Sequence, residues 1–298
     1  MSAVSVIIPT FNRAWCLPRA IESVLNQTFQ DFELIVVNDG STDDTMDVLA
    51  RYPTLRFIRY RVNRGVGAAI NAGLAIANSD LIALQDSDDE WLPEKLERQV
   101  AVMRSADKTL GVVYCDQWRH RGDERFLFPA AQVSQDDGIV YSRALDDGLH
   151  NIGNQSLLIR RACFEKVGLY DESLRKNEDL DMLIRISQHF RLHRIPEPLL
   201  NYYVTPDSVT ARSEGDGIDT QEALFKKHLA GLKQNPATLA KKAYWIGSYH
   251  MRAGNPWKGR KYLAIAVLAM QSPRHALAFF ISLCGQTTYR AFHRAVGG

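Results

Sequence analysis

The sequence predicts an α/β protein whose mostly parallel sheet carries helices on both faces, followed by a helical carboxyl-terminal region. Three observations point there. Short runs rich in β-branched residues alternate with helix-patterned runs through the first third of the chain. Polar residues gather after each of the first strands, and strand signals cease beyond about residue 218.

The strands are, in order, "VSVII" (4–8), "FELIVV" (32–37), "LRFIRY" (55–60), "LIAL" (81–84) and "GVVYC" (111–115). Between them "LPRAIESVLNQ" (17–27), "TDDTMDVLARY" (42–52), "GVGAAINAGLAIAN" (65–78) and "PEKLERQVAVMRSA" (93–106) place apolar residues at helical spacing. Such alternation builds right-handed βαβ units. From 116 to 215 it weakens: the stretch 152–190 reads as a short strand, a helix, a loop and a helix opening at Glu178 and Asp179 with Leu180, Leu183 and Ile184 on one face. In "AKKAYWIGSYHMRAGNPWKGRKYLAIAVLAMQSP" (240–273) a Gly-Asn-Pro break separates two amphipathic helices and a proline starts a third. The expected organisation is an α/β half over 1–115, a second half of the same domain over 116–215, and helices over 216–298.

At 298 residues, 46% hydrophobic and 23% charged, the chain has ordinary globular composition, and a net charge of +2 argues against nucleic acid as a bulk partner. Cys16, Cys115, Cys163 and Cys284 show no CxxC spacing, so neither a zinc site nor a disulfide framework is expected, and a reduced cytosolic compartment fits. The opening "MSAVSVIIPTFNR" lacks a basic n-region and a cleavage site. The most apolar later segment is broken by Gln271, Ser272, Pro273, Arg274 and His275 into pieces about half the roughly twenty residues a spanning helix needs.

In parallel sheets ligands bind beyond the carboxyl ends of the strands, and there this sequence concentrates its chemistry. "LIALQDSDDEWLPEKL" sets Asp86, Asp88, Asp89 and Glu90 directly after an apolar strand. Carboxylates so placed repel unless a cation compensates them, and a hard ion such as Mg²⁺ or Mn²⁺ would do so through one or two of them plus substrate phosphates. The same acids could instead cap the helix that follows. Asp39 in "VVNDGSTDDT" is placed to accept from a base or ribose, or to form an Asx turn with Ser41 and Asp43. Arg64 in "NRGVGAA" could meet a phosphate, or be a solvated loop residue.

Taken together and in this order, "VSVIIPTFNR", "VVNDGSTDDT", "NRGVGAAINAGL" and "LQDSDDEWLPEKL" resemble the family 2 glycosyltransferases of the GT-A fold, over roughly residues 4–210. The resemblance implies that Asp88 ligates the metal, Mn²⁺ or Mg²⁺, while Asp86 contacts the ribose or sugar. It places Pro9, Thr10, Phe11 and Asn12 at the nucleotide, with Pro9 and Phe11 flanking the base, Asp39 reading it and Arg64 contacting the nucleotide. Asp89 and Glu90 are expected to support the loop and cap the next helix. "KNEDLDMLIRI" resembles the family's Glu-Asp motif, which makes Asp179 the general base and Glu178 its acceptor-binding neighbour, with Asp181 a weaker candidate. One stretch departs from the family pattern. Where "NYYVTPDSVT" aligns with Y-R-x-H-P-x-S, Tyr203 and Thr205 stand at the Arg and His positions, leaving Arg212 or carboxyl-terminal basic residues to close over a diphosphate.

The implied activity is inverting, metal-dependent transfer from a nucleotide-diphosphate sugar, UDP favoured, to a hydroxyl of a glycan or lipid-linked acceptor in glycan, polysaccharide or glycolipid assembly. A catalytically silent nucleotide-sugar-binding or scaffold protein is the alternative, whereas a dehydrogenase is disfavoured because "PTFNRAW", not G-x-G-x-x-G, follows the first strand. Arg274, His275, Arg290, His293 and Arg294 flank apolar stretches, as in a peripheral membrane anchor at the cytoplasmic face or in helices packed on the catalytic domain.

Overall fold

The computed structural model describes residues 2–132, 145, 149, 151–205, 214–270 and 272–295. Arg212, one expected closing residue, lies outside them. The chain divides into two compact units, Met1–Arg212 and Ser213–Gly298.

In the first unit β1 (Val4–Thr10), α1 (Leu17–Leu25), β2 (Phe32–Asn38), α2 (Thr45–Ala50), β3 (Arg56–Arg59), α3 (Val66–Ile76), β4 (Leu81–Leu84), β5 (Glu90–Trp91), α4 (Lys95–Ser105) and β6 (Leu110–Arg121) follow the expected alternation. Then come β7 (Glu124–Phe128), β8 (Leu158–Arg160), α5 (Arg161–Val167), α6 (Glu178–Ile186) and β9 (Arg191–Tyr203). They form one sheet in the order β3-β2-β1-β4-β8-β6-β9-β5, with β7 hairpinned onto β6.

β1, β2, β3 and β4 pair in parallel; β8 runs antiparallel between β4 and β6, and β5 antiparallel to β9, so the sheet is mixed beyond its first half. Alternation along β1 explains how both faces are covered. Val4, Val6 and Ile8 pack with Leu17, Ile21 and Val24 of α1 and with Val100 and Met103 of α4. Ile7 points the other way, where Gly73 of α3 lets the helix approach: a Cβ on that glycine would stand 2.5 Å from Ile7 Cγ2. Each such buried aliphatic side chain contributes about 1.5–3 kcal/mol.

Strand order reverses between β1 and β4, and ligands of open α/β sheets bind at such switch points. The pairing of Thr10 with Asn38 and of Ile7 with Leu84 sets the ends of β1, β2 and β4 side by side. The loops carrying Phe11, Asp39 and Asp86 therefore open on one edge.

β9 has no counterpart in the sequence reading, because "RLHRIPEPLLNYY" contains Pro196 and Pro198, which interrupt a ladder. The strand accommodates them with a bulge: Cys115 pairs with Ile195 but Asp116 with Pro198. Its end then pairs with β5, Glu90 opposite Asn201, and brings Tyr203 to the acidic loop.

The second unit is entirely helical among the described residues: α7 (Glu214–Lys227), α8 (Leu229–Gln234), α9 (Pro236–Ala253), α10 (Pro256–Ala269), α11 (Pro273–Leu283) and α12 (Gln286–Ala295). Proline opens α9, α10 and α11, where its missing N–H costs nothing. α9 and α10 pack closely at Gly247, whose Cβ would meet the Gly259 carbonyl oxygen at 2.9 Å. Met251, Leu263, Ala278 and Tyr289 form this unit's core. No described helix is long and apolar enough to cross a membrane. None of the four cysteines is in a disulfide.

Candidate active site

The first wall of the site is the loop after β1. Asn12 adopts φ 52°, in the left-handed region that asparagine tolerates best after glycine, and its side-chain oxygen accepts from Thr42 N–H at 2.8 Å. Its own N–H donates to Ser41 Oγ at 2.9 Å, so the loops after β1 and β2 are laced together. Pro9 and Thr10 are buried, Phe11 half-buried, and Thr10 Oγ1 has no partner.

Asp39 follows β2 and is buried. One carboxylate oxygen accepts from Arg64 N–H at 2.8 Å; the other accepts from Gly65 N–H at 2.8 Å and Asn63 Nδ2 at 2.9 Å. Burial pushes its carboxyl above the ordinary value while those two backbone N–H groups pull it back. In this structure Asp39 clamps the Asn63–Gly65 turn to β2, which leaves about one of its acceptor positions for a ligand. Gly40 makes the clamp feasible: at φ 79° it lies where a Cβ would be 2.5 Å from the Val62 carbonyl carbon. Arg64 pairs with Glu172 at 3.2 Å and stands over the Tyr60 ring. The Arg175 guanidinium, which no motif in the sequence singles out, is 3.0 Å from a Cβ built on Gly65 and adds positive charge near Asp39.

The acids after β4 do not cap α4, whose amino-terminal residue Glu94 has no side-chain capping bond. They turn inward. Asp88 lies 3.7 Å from Arg13 Nε and accepts from Thr205 Oγ1 at 3.5 Å, a long contact, while Arg19 Nη2 donates to its backbone carbonyl. Asp89 accepts Tyr203 N–H at 3.0 Å on one oxygen; the other is buried without a partner. Glu90 accepts from Asn201 Nδ2 at 2.8 Å and Tyr203 Oη at 2.9 Å. Asp89 and Glu90 therefore support the loop as expected, and the capping half of that expectation fails because both are engaged by β9.

Tyr203 organises this corner. Arg19 stands over its ring and His120 stacks on it with centroids 4.6 Å apart. Tyr203, where the sequence pattern leads us to expect arginine, is thus an aromatic platform, and the cations beside the acids come from Arg13, just before α1, and Arg19 within it. Arg19 escaped the sequence reading because a helical pattern tells which face is apolar and not what the polar face meets.

Glu178 and Asp179 open α6, preceded by Asn177 at φ 57°. Asp179 accepts from Leu180 N–H at 2.7 Å; Glu178 accepts from Asn154 Nδ2 at 3.2 Å, and Tyr170 Oη donates to that asparagine's oxygen at 2.9 Å. Asp181 is different: fully buried, it pairs with Arg185 at 2.9 Å, and Arg185 also binds the carbonyls of Val167, Gly168 and Leu169. Through Arg185 it holds the loop before α6.

Electrostatics joins the two acidic groups. Asp86 is pushed up to about 8, first by burial, then by the Asp88 and Asp179 charges. Glu178 is held well above the carboxylate range by burial, then by Asp179 and Asp86. Burial also raises Asp179, against backbone hydrogen bonds that lower it. Acids from β4 and α6, separated by a long stretch of sequence, therefore share one poorly solvated place that resists the full set of negative charges.

Among the described residues no three His, Cys, Asp or Glu side chains group so as to hold a metal ion by themselves. The donors present are all oxygen, and Asp88 and the orphaned Asp89 Oδ2 offer one or two carboxylates. That set fits a hard divalent cation whose shell is completed by phosphate and water.

Comparison with known proteins decides the family. The sequence profile described as "Glycosyl transferase family 2" matches residues 5–168, more than half of the chain. The chain belongs to glycosyl transferase family 2. A relative from Rickettsia typhi described as an uncharacterised glycosyltransferase is 31% identical over 244 residues, 80% of this chain and 75% of that one. Among solved structures, residues 1–349 of Staphylococcus aureus TarS in complex with UDP-GlcNAc superpose with a TM-score of 0.71 at 17% identity, covering 99% of this chain and 92% of that one. The mannosyltransferase PcManGT from Pyrobaculum calidifontis, in complex with GDP-Man and Mn²⁺, gives 0.58 at 20% identity, covering 98% and 83%. Those likenesses are of fold, and they agree with the GT-A architecture expected from the motifs. The matched family segment ends before Glu178, so the approach of Asp179 to Asp86 is a property of the folded family 2 glycosyltransferase that the profile does not contain.

Proposed function

We propose that this glycosyltransferase moves a sugar, with inversion, from a nucleotide-diphosphate donor to an acceptor hydroxyl at the junction of Asp86, Asp88 and Asp179. The observation that carries this reading is the shared electrostatic field of Asp86 and Asp179 at the switch point of the sheet. Pro9, Thr10, Phe11, Asn12, Asp39 and Arg64 form the nucleotide side, with UDP the first donor to try, since nothing in these residues excludes another base. Asp86 faces the ribose or sugar. The 1–115 half binds the donor and the 116–215 half the acceptor, which is a glycan or lipid-linked hydroxyl in glycan, polysaccharide or glycolipid assembly.

Asp88 would hold Mn²⁺ or Mg²⁺, with Arg13 and Arg19 alongside. When bound, the cation neutralises charge that builds on the leaving diphosphate. Asp179 takes the proton from the acceptor hydroxyl as that oxygen attacks the anomeric carbon from the face opposite the diphosphate. One displacement inverts the centre. Burial suits Asp179 to this task, because a carboxylate raised towards neutral pH is a stronger base than an exposed one. Glu178, held by Asn154, positions the acceptor beside it.

A thermal-shift screen of nucleotide sugars with and without Mn²⁺, followed by transfer assays of the stabilising donor, tests the reading. A true donor raises Tm by mass action. Donor binding without any transfer to a panel of acceptors, in wild type as in Asp179→Asn, would favour a silent binding protein; full transfer by Asp88→Ala in EDTA would remove the metal.

A further inference from the structure

The second unit has an unusual distribution of charge. Residues 213–298 contain twelve Lys and Arg against four Asp and Glu, a net +8, and residues 1–212 contain 24 against 30, a net −6. All twelve cations follow Glu222, which itself pairs with Lys226 and Lys258, and beyond it the sequence has no acidic residue. Such asymmetry within one chain calls for an anionic partner.

α11 also carries large apolar residues on two sides: Phe279 and Ile281 pack against this unit's core, and others face outward. A helix of a water-soluble unit buries its large apolar residues and exposes its small or polar ones. α11 buries Ala278 and Ser282, one turn apart, and exposes Leu277 (50%), Phe280 (63%) and Leu283 (53%). Arg274, exposed and three residues before Leu277, lies on the same outward stripe. α10 buries Tyr262 and Leu263 and yet exposes Trp257 (82%), Lys261 and Leu268 (85%), which recur at spacings of four and seven. The two helices pack against each other, Arg260 Nε donating to the Ser282 carbonyl at 3.1 Å.

Charge and apolarity together choose the occupant. A second copy docked through the same face would bring another +8 against the first, and nucleic acid would satisfy the cations while leaving Leu268, Leu277 and Phe280 in water. An anionic bilayer surface takes both: phosphates meet the cations, and the headgroup–acyl boundary accepts aliphatic and aromatic side chains, tryptophan in particular.

We infer that the outward faces of α10 and α11 form a peripheral docking surface for anionic phospholipid, with Trp257, Leu268, Leu277 and Phe280 entering the boundary and Lys261 and Arg274 meeting lipid phosphates. None of these residues belongs to the proposed transfer site, and no described helix is long and apolar enough to cross a bilayer; the docking is peripheral.

The test is sedimentation of the full chain with phosphatidylcholine vesicles, with and without phosphatidylglycerol. Binding is expected to phosphatidylglycerol-containing vesicles and to fall at least about tenfold on pure phosphatidylcholine or at high salt. Arg274→Ala is expected to lose about fivefold in partitioning, and Leu277→Ser with Phe280→Ser at least about tenfold, with Tm unchanged because the side chains are exposed. No binding to anionic vesicles, equal binding to neutral ones, insensitivity to both sets of substitutions, or competition for the same residues by an RNA oligonucleotide with no lipid binding would each overturn the inference. None of these readouts uses sugar transfer, so the result is independent of the function proposed above.

Discussion

Arg19 lies over the face of Tyr203, its guanidinium carbon 3.7 Å from the ring centroid, and from there it donates to the backbone carbonyl of Asp88. A residue of the first helix is thus positioned at the acidic loop by a tyrosine from the last strand. Tyr203 is itself fixed by its hydroxyl on Glu90 and its N–H on Asp89. Tyr203→Phe keeps the platform and removes one charge-assisted hydrogen bond, an expected loss of about 1–2 kcal/mol in chemical denaturation with donor affinity near wild type. Tyr203→Ala removes the platform as well. It should cost about 2–4 kcal/mol and weaken donor binding by calorimetry at least about tenfold, because Arg19 is no longer held at the loop. Equal donor affinity in both variants would detach Arg19 from the donor.

The Asp39 clamp gives a second expectation. Asp39→Ala leaves two backbone N–H groups and an asparagine amide without their acceptor, at about 1–3 kcal/mol each where no water replaces it. Asp39→Asn keeps one accepting oxygen and should recover part of the loss. Gly40→Ala should be at least as costly as Asp39→Ala despite its smaller chemical change, since a Cβ there collides with backbone of Val62 and Asn63. Urea denaturation of the three variants gives the order directly.

These contacts show what the sequence could and could not display. β1, β2, β4, α1 and α3 were legible because their periodicities are local, and each strand bears a polar terminus that marks the functional edge. The acids at 86–90 were legible as a group whose repulsion needs an explanation. Their division of labour was not, because it is set by β9: two prolines disguise that strand, and its Tyr203 reaches Asp89 and Glu90 only through long-range pairing. Likewise Asp179 and Asp181 sit on one turn of one motif, and only packing separates the acid that meets Asp86 from the acid that meets Arg185.

The crowding of carboxyls predicts an unusual pH dependence. Asp86 has its folded value raised from 3.8 to about 8, so between those values the folded state holds a proton that the unfolded state releases. Stability of the ligand-free protein should therefore fall as pH rises across this window, by about 1.4 kcal/mol per pH unit for that proton, and level off above about 8. Asp86→Asn has no proton to lose there and should flatten the slope in urea-denaturation curves recorded from pH 5 to 8. A slope unchanged by the substitution would mean that Asp86 is not the group under strain.

The neighbouring acids of α6 should respond in opposite ways. Asp181 is fully buried against Arg185, and removing it strands a guanidinium that also organises three carbonyls; Asp181→Ala should cost about 3–5 kcal/mol in unfolding free energy. The fraction that remains folded should still transfer sugar, because Asp181 is engaged by Arg185 and the charges that raise Asp86 are those of Asp88 and Asp179. Asp179→Asn should reverse both outcomes. Its carboxylate is disfavoured by burial, so the amide, which can still accept Leu180 N–H, should leave stability unchanged or raise it. Transfer should fall about 10²–10⁴-fold with donor affinity retained, the loss expected for a missing general base. Measuring Tm, donor binding and turnover side by side separates the two, and an Asp179→Asn enzyme with wild-type turnover would move the base to another of the clustered acids, Glu178 first.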